Sequence, residues 1–244
     1  MNDNSAELNT DLPPVGKRRT WSEFVVVGIV FYLAIAYLLL PWVWRKAEGH
    51  PALKQIPQIA RTHDNIPGDP LNIALIGSES VVSRSMLEAG WFPADPLTLK
   101  SCLRIASDTV LRRTYDDAPV SNLYVWGHKQ DLAFEQPVGH DPRQRHHVRF
   151  WQSQEVDANG RPLWIGGATY DRKVGFSHTT GQITHHISPD VDQERDKVLN
   201  DLQQAGAVIR LNWIESFHDQ LKGRNGGGDE WRTDGRLPVV TLTE

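Results

Sequence analysis

The longest feature of the hydrophobic pattern is an apolar run over residues 24–44, which contains no charged residue and no Asn, Gln or His. A helix needs about 20 such residues to cross roughly 30 Å of hydrocarbon. The run is too long for the core of a cleaved secretory signal, and bulky residues follow it where a signal peptidase requires small ones. Trp21, Trp42 and Trp44 lie at its two ends, as is typical of membrane interfaces. We therefore predict a retained transmembrane helix over residues 21–44.

Basic residues flank this segment on both sides. Lys17, Arg18 and Arg19 form one cluster before it, whereas those that follow it are spread over a longer stretch. Because basic residues close to a span favour the cytoplasmic side, we expect the amino terminus inside and the large domain outside the membrane. The single cysteine, Cys102, excludes an intramolecular disulfide and leaves the compartment of the domain open.

The rest of the pattern divides the chain into three parts. Residues 1–20 are polar, which predicts a disordered tail. Residues 45–68 contain several prolines and little periodicity, which predicts a partly extended linker. Residues 69–244 form the globular part, and this length is sufficient for one domain with its own hydrophobic core.

Short runs of period two dominate the globular part. Strands are predicted over residues 71–76, 121–126, 131–135, 146–156, 163–170, 207–214 and 237–242, and over two pieces of 174–187. Helices are predicted over residues 78–90, 98–111 and 188–206, with serine caps at the first and last of these. Residues 224–228 are predicted to be a loop. We expect an α+β domain with a largely antiparallel sheet and about three helices, preceded by one transmembrane helix.

Charge narrows the classes of partner. The globular part holds 19 basic and 24 acidic residues, and the whole chain has a net charge of −4. Domains that bind nucleic acids carry a concentrated positive charge, so no nucleic-acid partner is expected. The membrane is the first partner that the sequence predicts.

Two histidine pairs, His146–His147 and His185–His186, lie in the sheet-rich middle. Imidazole is a common metal ligand and acid–base group. Adjacent strand residues point to opposite faces, so at most one member of each pair can enter a given site. If His147 shares a face with His185 or His186, a His/carboxylate site with Asp171 or Asp190 results, with His147 and His186 as candidate ligands of a divalent metal. The alternative is histidines that bond to their neighbours in the sheet, since the spacing matches no established metal motif.

Arginines accompany the histidines. The candidate ligand-binding residues are Arg143, Arg145, Arg149 and Arg172. Guanidinium groups suit phosphate and carboxylate, so this face is a candidate site for an anionic lipid headgroup. The alternative is an ordinary solvated sheet face on which nearby carboxylates pair with the arginines.

Several segments together resemble the LssY C-terminal domain family. They are PLTLKSCLRIA (96–106), QDLAFEQP (130–137), RQRHHVRFW (143–151), ATYDR (168–172), TTGQITHHI (179–187) and PDVDQERD (189–196). The resemblance covers about residues 69–208 and implies a bacterial envelope component, because relatives are often attached to lipid-phosphatase-like membrane segments. It carries over no catalytic residue, and the phosphatase activity of those segments is not implied for this chain.

Two main functions remain open at this point. The first is a membrane-anchored envelope protein whose domain binds an anionic lipid, glycan or protein partner through the Arg/His face. The second is a hydrolase acting on a phosphorylated lipid or envelope polymer, with His147, His185 and His186 as metal ligands or acid–base groups and Asp171 assisting. A scaffold in a secretion or lipid-transport complex is a third possibility. The first is favoured because the sequence contains no recognisable nucleophile motif.

Overall fold

The chain divides into two units, Met1–Gly49 and His50–Glu244. The computed structural model describes residues 21–40, 50–94, 98, 100, 122–139, 144–176 and 183–244. In the first unit, helix α1 (Trp21–Ala34) continues into a π-helical turn over Ile35–Leu39. Together they form 19 residues with a mean hydropathy of 2.2, long and apolar enough to cross a membrane by length and composition alone. The helix agrees with the predicted span as far as residue 40, and residues 41–44 lie outside the described part.

The second unit contains two further α-helices among its described residues, α2 (Glu79–Glu88) and α3 (Val191–Gln204), and a 3₁₀ helix over Pro51–Gln55. Its described strands are β1 Ile59–Arg61, β2 Pro67–Pro70, β3 Ile73–Ile76, β4 Phe92–Pro93, β5 Tyr124–Val125, β6 His128–Lys129, β7 Leu132–Pro137, β8 Arg145–Val156, β9 Pro162–Phe176, β10 Ile183–Ile187, β11 Val208–Ile214, β12 Lys222–Arg224, β13 Glu230–Arg232 and β14 Leu237–Leu242.

Eight strands form a central sheet in the order β11-β14-β3-β9-β8-β7-β4, with β10 also paired to β9. Only the pairing of β14 with β3 is parallel among the described strands of this sheet. Strands β8 and β9 form the predicted hairpin, and its turn closes with a hydrogen bond from Gly160 N to Asp157 O. The predicted α+β class with a mainly antiparallel sheet is confirmed.

Successive side chains of a strand point to opposite faces of the sheet. In the central sheet, other elements cover both of these faces. On one face, Phe150 and Trp164 pack against α2 and α3, and we call this the helix face. On the other, Trp151 and Ile165 pack against the 3₁₀ helix and a second sheet of order β2-β1-β5-β6, and we call this the small-sheet face. The site residues can therefore lie in two separate chemical environments.

The proline-rich segment after the first helix differs from the predicted linker. From His50 onward it belongs to the globular unit, and Ala52 and Ala60 are buried there. The His50 ring also contacts Arg161 O at 3.0 Å. Proline is compatible with a helix start and with an edge strand, and β2, which begins and ends with proline, lies at the edge of the small sheet. The prolines therefore mark short elements of the domain.

The start of α3 also differs from the prediction. The helix begins at Val191 after Asp190, and Ser188 does not cap it. Ser188 N donates to Tyr170 O at 2.8 Å, and Pro189 O accepts from Arg232 N at 2.7 Å. The backbone groups of residues 188 and 189, which the local pattern predicted to start the helix, therefore form hydrogen bonds with neighbouring strands instead.

The remaining predicted elements have mixed outcomes. Ser78 caps α2 as predicted, since its Oγ accepts from Val81 N at 3.3 Å. The predicted helix over 98–111 lies outside the described residues except for Thr98 and Lys100. The predicted loop over 224–228 is the turn of the β12–β13 hairpin, so Arg224 itself lies in a strand.

Candidate functional site

Four of the eight predicted site residues lie on the small-sheet face of β8 and β9. Arg145 is paired with Asp171 in the strand register, and His147 is paired with Thr169. Arg149 shares this face because it lies two residues beyond His147. Arg145, His147, Arg149, Thr169 and Asp171 are buried. His185 of β10, which is half-buried, approaches them. We use the name inner cluster for Arg145, His147, Arg149, Asp171 and His185.

Arg145 is the centre of the inner cluster. Its Nε donates to Asp171 Oδ2 at 3.1 Å, and its Nη1 donates to Glu135 Oε2 at 2.8 Å. Its Nη2 lies 3.4 Å from His185 Nε2, while His185 Nδ1 lies 3.3 Å from Asp171 Oδ2. Asp171 is thus shared between a guanidinium and an imidazole, and the structure brings β10 to the cluster through His185.

Burial shifts the pKa values of this cluster. Loss of water raises the pKa of Asp171 to about 6, although Arg145 opposes the shift. Burial, together with the charges of Arg145 and Arg149, lowers the pKa of His185 to about 4. The same causes, with burial the largest, hold the pKa of His147 well below its usual value. Near neutral pH both imidazoles are therefore uncharged.

The described arginines are paired with carboxylates or backbone groups, in part as in the second of the two alternatives for this face. Arg145 and Arg149 are 6% and 7% exposed, and Arg149 Nη1 donates to Asp69 Oδ2 at 3.2 Å. Arg172 is exposed, and its Nε donates to Ile187 O. Arg143 lies outside the described residues. Carboxylates of both sheets pair with these guanidiniums, since Asp69 of β2 contacts Arg149, whereas Glu135 and Asp171 of the central sheet contact Arg145.

The second histidine pair divides as alternation requires. His185 joins the inner cluster and interacts electrostatically with His147. His186 instead has its Nδ1 2.8 Å from Asp229 Oδ1, next to the β12–β13 hairpin. Within the described ranges, no three His, Cys, Asp or Glu side chains are grouped to hold a metal ion. The candidate metal ligands His147 and His186 therefore lie in different environments, the first near Arg145 and Arg149 and the second beside Asp229.

An open cleft of about 420 Å³ lies along the β12–β13 hairpin, and the sequence reading did not identify it. We call it the basic cleft, and it is lined by Pro189, Lys222, Gly223, Arg224, Glu230, Trp231 and Arg232. Three of these residues are basic and one is acidic. The alternation of charged residues with a glycine and a tryptophan around the glycine-rich turn was the available signal.

A smaller cleft of about 210 Å³ lies on the helix face, where β8 and β9 meet the start of α3. We call it the His146 cleft. His146 has its Nδ1 2.7 and 2.9 Å from the two carboxylate oxygens of Glu194. The rings of Tyr170 and Trp91 lie 5.1 and 6.4 Å from the imidazole, measured between ring centroids. His146 is thus the member of the first pair that the sequence reading passed over.

Fold and clefts together define an α+β domain whose described residues include a basic cleft and a polar cleft. In the chain, a helix that is able to span a membrane precedes this domain. The family model described as "LssY C-terminus" matches residues 53–237. The chain belongs to this family, as its motifs predicted, and the match begins 16 residues before the predicted start at 69. No curated protein and no solved structure matches the chain.

Proposed function

We propose that this protein is a single-pass protein of the bacterial inner membrane whose extracytoplasmic domain binds an anionic group of an envelope lipid, glycan or protein. The observation that carries the proposal is the basic cleft. Lys222, Arg224 and Arg232 line it against one acidic residue, Glu230, in a chain that is acidic as a whole. A concentration of positive charge against the overall balance supports an anionic ligand.

The cations of the basic cleft are accessible to a ligand. Arg224 pairs with Glu230, but both side chains are 67% exposed, and such exposed pairs contribute little and exchange readily. Lys222 is exposed and makes no ion pair within the described part of the chain. A phosphate or carboxylate can therefore replace the exposed partner of Arg224 and add a contact to Lys222.

The inner cluster supports this role less well than the sequence suggested. Its two guanidiniums already contact Glu135, Asp171 and Asp69. The raised pKa of Asp171 means that the arginines do not compensate for the loss of water around a negative charge there. An added anion would meet the same cost, so we place the anion contact in the basic cleft.

Anchoring by the apolar helix would allow the domain to function with a weak affinity for its ligand. A domain held at a membrane surface meets envelope ligands at a high effective concentration, so a millimolar affinity is sufficient for occupancy. Basic residues near an anionic surface each contribute about 1 kcal/mol, which suits a site with a few cations.

The test uses the full chain in phosphatidylcholine nanodiscs, with sn-glycerol 3-phosphate and glucuronate as separate probes measured by ligand-observed NMR. The first probe represents a lipid headgroup and the second an anionic glycan. Neutralising two cations with Lys222→Gln and Arg224→Gln removes about 2 kcal/mol, so we expect binding of the preferred probe to weaken about 30-fold.

The matched control removes the same charge elsewhere, with Lys129→Gln and Arg210→Gln on exposed positions of β6 and β11. This variant is expected to bind as the wild type does. The proposal fails if neither probe binds the wild type, or if the control and the cleft variant weaken binding equally.

A hydrolase is the second candidate, and one observation favours it. His147 Nε2 is buried and makes no hydrogen bond within the described part of the chain. A catalytic role is one explanation for a buried polar group without a partner, and a neutral imidazole nitrogen can form a hydrogen bond with a ligand. Turnover of a phosphate ester by the wild type, lost in His147→Gln but kept in His128→Gln, would support it. Equal turnover in both variants would exclude His147.

A further inference from the structure

The His146 cleft contains a carboxylate–histidine pair of fixed geometry. Glu194 is 5% exposed and lies in the first turn of α3, where the positive end of the helix dipole favours a carboxylate. Both of its oxygens contact the same imidazole nitrogen, His146 Nδ1. An ionised carboxylate only accepts hydrogen bonds, so Nδ1 carries the proton.

This pairing determines what the other imidazole nitrogen can do. With the proton on Nδ1, Nε2 of a neutral ring has a free lone pair and acts as an acceptor. Nε2 makes no hydrogen bond among the described residues, and the His146 side chain is 22% exposed at the cleft. The same logic orients the histidine of a catalytic triad, in which a buried carboxylate fixes the tautomer.

The other lining residues indicate the chemistry of the ligand. They are Tyr170, Ser188, Asp190, Gln193 and Glu194, so the described lining of the cleft contains no lysine or arginine. Both lining carboxylates already have partners, since Glu194 contacts His146 and Asp190 Oδ2 accepts from Gln193 Nε2 and Arg232 Nη2. The acceptor left for a ligand donor is the lone pair of His146 Nε2, and the serine hydroxyl can both donate and accept. A neutral ligand with several hydroxyl groups satisfies this set, and an anion does not.

Size limits the ligand further. A volume of about 210 Å³ is below the range of about 300–1,000 Å³ that is usual for drug-sized ligands. The cleft therefore accommodates a small molecule or one unit of a longer chain. The aromatic ring of Tyr170 supplies an apolar surface next to the polar groups, as hydroxyl-rich rings with apolar C–H faces require.

We propose that the His146 cleft binds one neutral, hydroxyl-rich unit, such as a sugar residue, whose hydroxyl donates a hydrogen bond to His146 Nε2 while Glu194 positions the imidazole. The site lies on different residues from the basic cleft, and its ligand differs in charge. The two clefts adjoin, since Pro189 lines one and Ser188 the other. Asp190 of the His146 cleft also pairs with Arg232 of the basic cleft at 3.1 Å.

The experiment measures binding of methyl β-D-glucoside, methyl N-acetyl-β-D-glucosaminide and inorganic phosphate to the full chain in phosphatidylcholine nanodiscs by saturation-transfer NMR. We expect at least one glycoside to bind and phosphate not to displace it. His146→Gln should weaken glycoside binding about tenfold, as expected for loss of a well-placed hydrogen bond.

The matched control is His128→Gln. His128 also faces a carboxylate, with its Nε2 3.1 Å from Asp131 Oδ2, but it lies on β6. This variant should bind glycosides normally. The proposal is overturned if no glycoside binds the wild type, if phosphate displaces the glycoside, or if both variants bind equally.

A measurement on the wild type guards against a variant that fails to fold. Imidazole ¹⁵N NMR reports which nitrogen of His146 carries the proton. We expect the Nδ1–H form, and a change in the Nε2 resonance when the glycoside is added. A proton on Nε2, or no response of that resonance, would overturn the proposal without any variant.

Discussion

At the scale of single residues, the Asp171–His185 pair shows how burial redistributes a proton. The carboxyl has a pKa of about 6 in the folded protein, against 3.8 ordinarily, and the imidazole has a pKa of about 4, against 6.5. Between pH 4 and 6 the folded pair therefore holds its proton on the carboxyl. The unfolded pair holds one proton as well, but on the imidazole, so the pair makes stability nearly independent of pH in this window.

Replacing either residue of the pair should reveal how the other one makes the free energy of unfolding depend on pH. In His185→Gln, the raised pKa of Asp171 stabilises the fold below pH 4, and this stabilisation disappears as the pH rises through 6. In Asp171→Asn, the lowered pKa of His185 stabilises the fold above pH 6.5, and this is lost as the pH falls through 4. Each of these pKa shifts changes the free energy of unfolding by on the order of 3 kcal/mol at most.

The measurement is urea unfolding of the full chain in phosphatidylcholine nanodiscs at pH 4, 5, 6 and 7. His147, with its own lowered pKa, contributes equally to all three proteins, so the slopes of the variants are compared with that of the wild type. Slopes of opposite sign are expected. Parallel pH profiles for the two variants would show that Asp171 and His185 do not share a proton.

At the scale of elements, strand β9 organises the domain because three strands pair with it. β8 runs along one edge, and β3 and β10 share the other. Gly166 lies opposite Phe150 in the β8–β9 register, and the absence of a side chain there admits the ring. A Cβ on Gly166 would lie 2.6 Å from Phe150 Cε1 and 2.9 Å from Ile73 Cγ2.

Gly166→Ala should therefore destabilise the domain by about 1–3 kcal/mol, the usual cost of overpacking a core. Without this contact the sign would reverse, because alanine is favoured over glycine within a strand by about 0.5–1 kcal/mol. The free energy of unfolding is measured for Gly166→Ala, for Phe150→Leu and for the double variant. We expect the glycine substitution to cost less in the Phe150→Leu background. Additive effects would contradict the proposed contact.

Helix α3 shows why local sequence patterns predict that a helix exists more accurately than they predict where it begins. The start and stop signals predicted a helix over residues 188–206, and the helix ends at Gln204. The start moved because Ser188 and Pro189 pair with β9 and β13. A capping signal describes what a segment can do alone, whereas backbone pairing depends on strands distant in sequence.

At the scale of the whole molecule, the limits of the globular unit are the main revision of the sequence reading. Composition placed the domain start at residue 69, whereas the compact unit starts at His50 and the family match at residue 53. Residues 50–68 supply β1, the first half of β2 and buried alanines that cover the small-sheet face.

A comparison of two fragments tests this boundary. We expect the fragment 50–244 to unfold cooperatively on heating. The fragment 69–244 should be less stable or aggregate, because it exposes Leu71, Trp151 and Leu163 on the small-sheet face. Circular dichroism melting and gel filtration measure both properties. Equal melting temperatures would show that residues 50–68 are not part of the folding unit.

The sequence by itself determined the apolar helix, the α+β class, the β8–β9 hairpin and the family. These depend on local composition and periodicity, which a chain carries wherever it folds. Only the tertiary structure decided the environment of each candidate group. His146 and His147 are neighbours with the same side chain, yet one lies at an open cleft beside Glu194 and the other is buried near Arg145 and Arg149. Alternation predicts that they separate, but which layer covers each face depends on long-range packing.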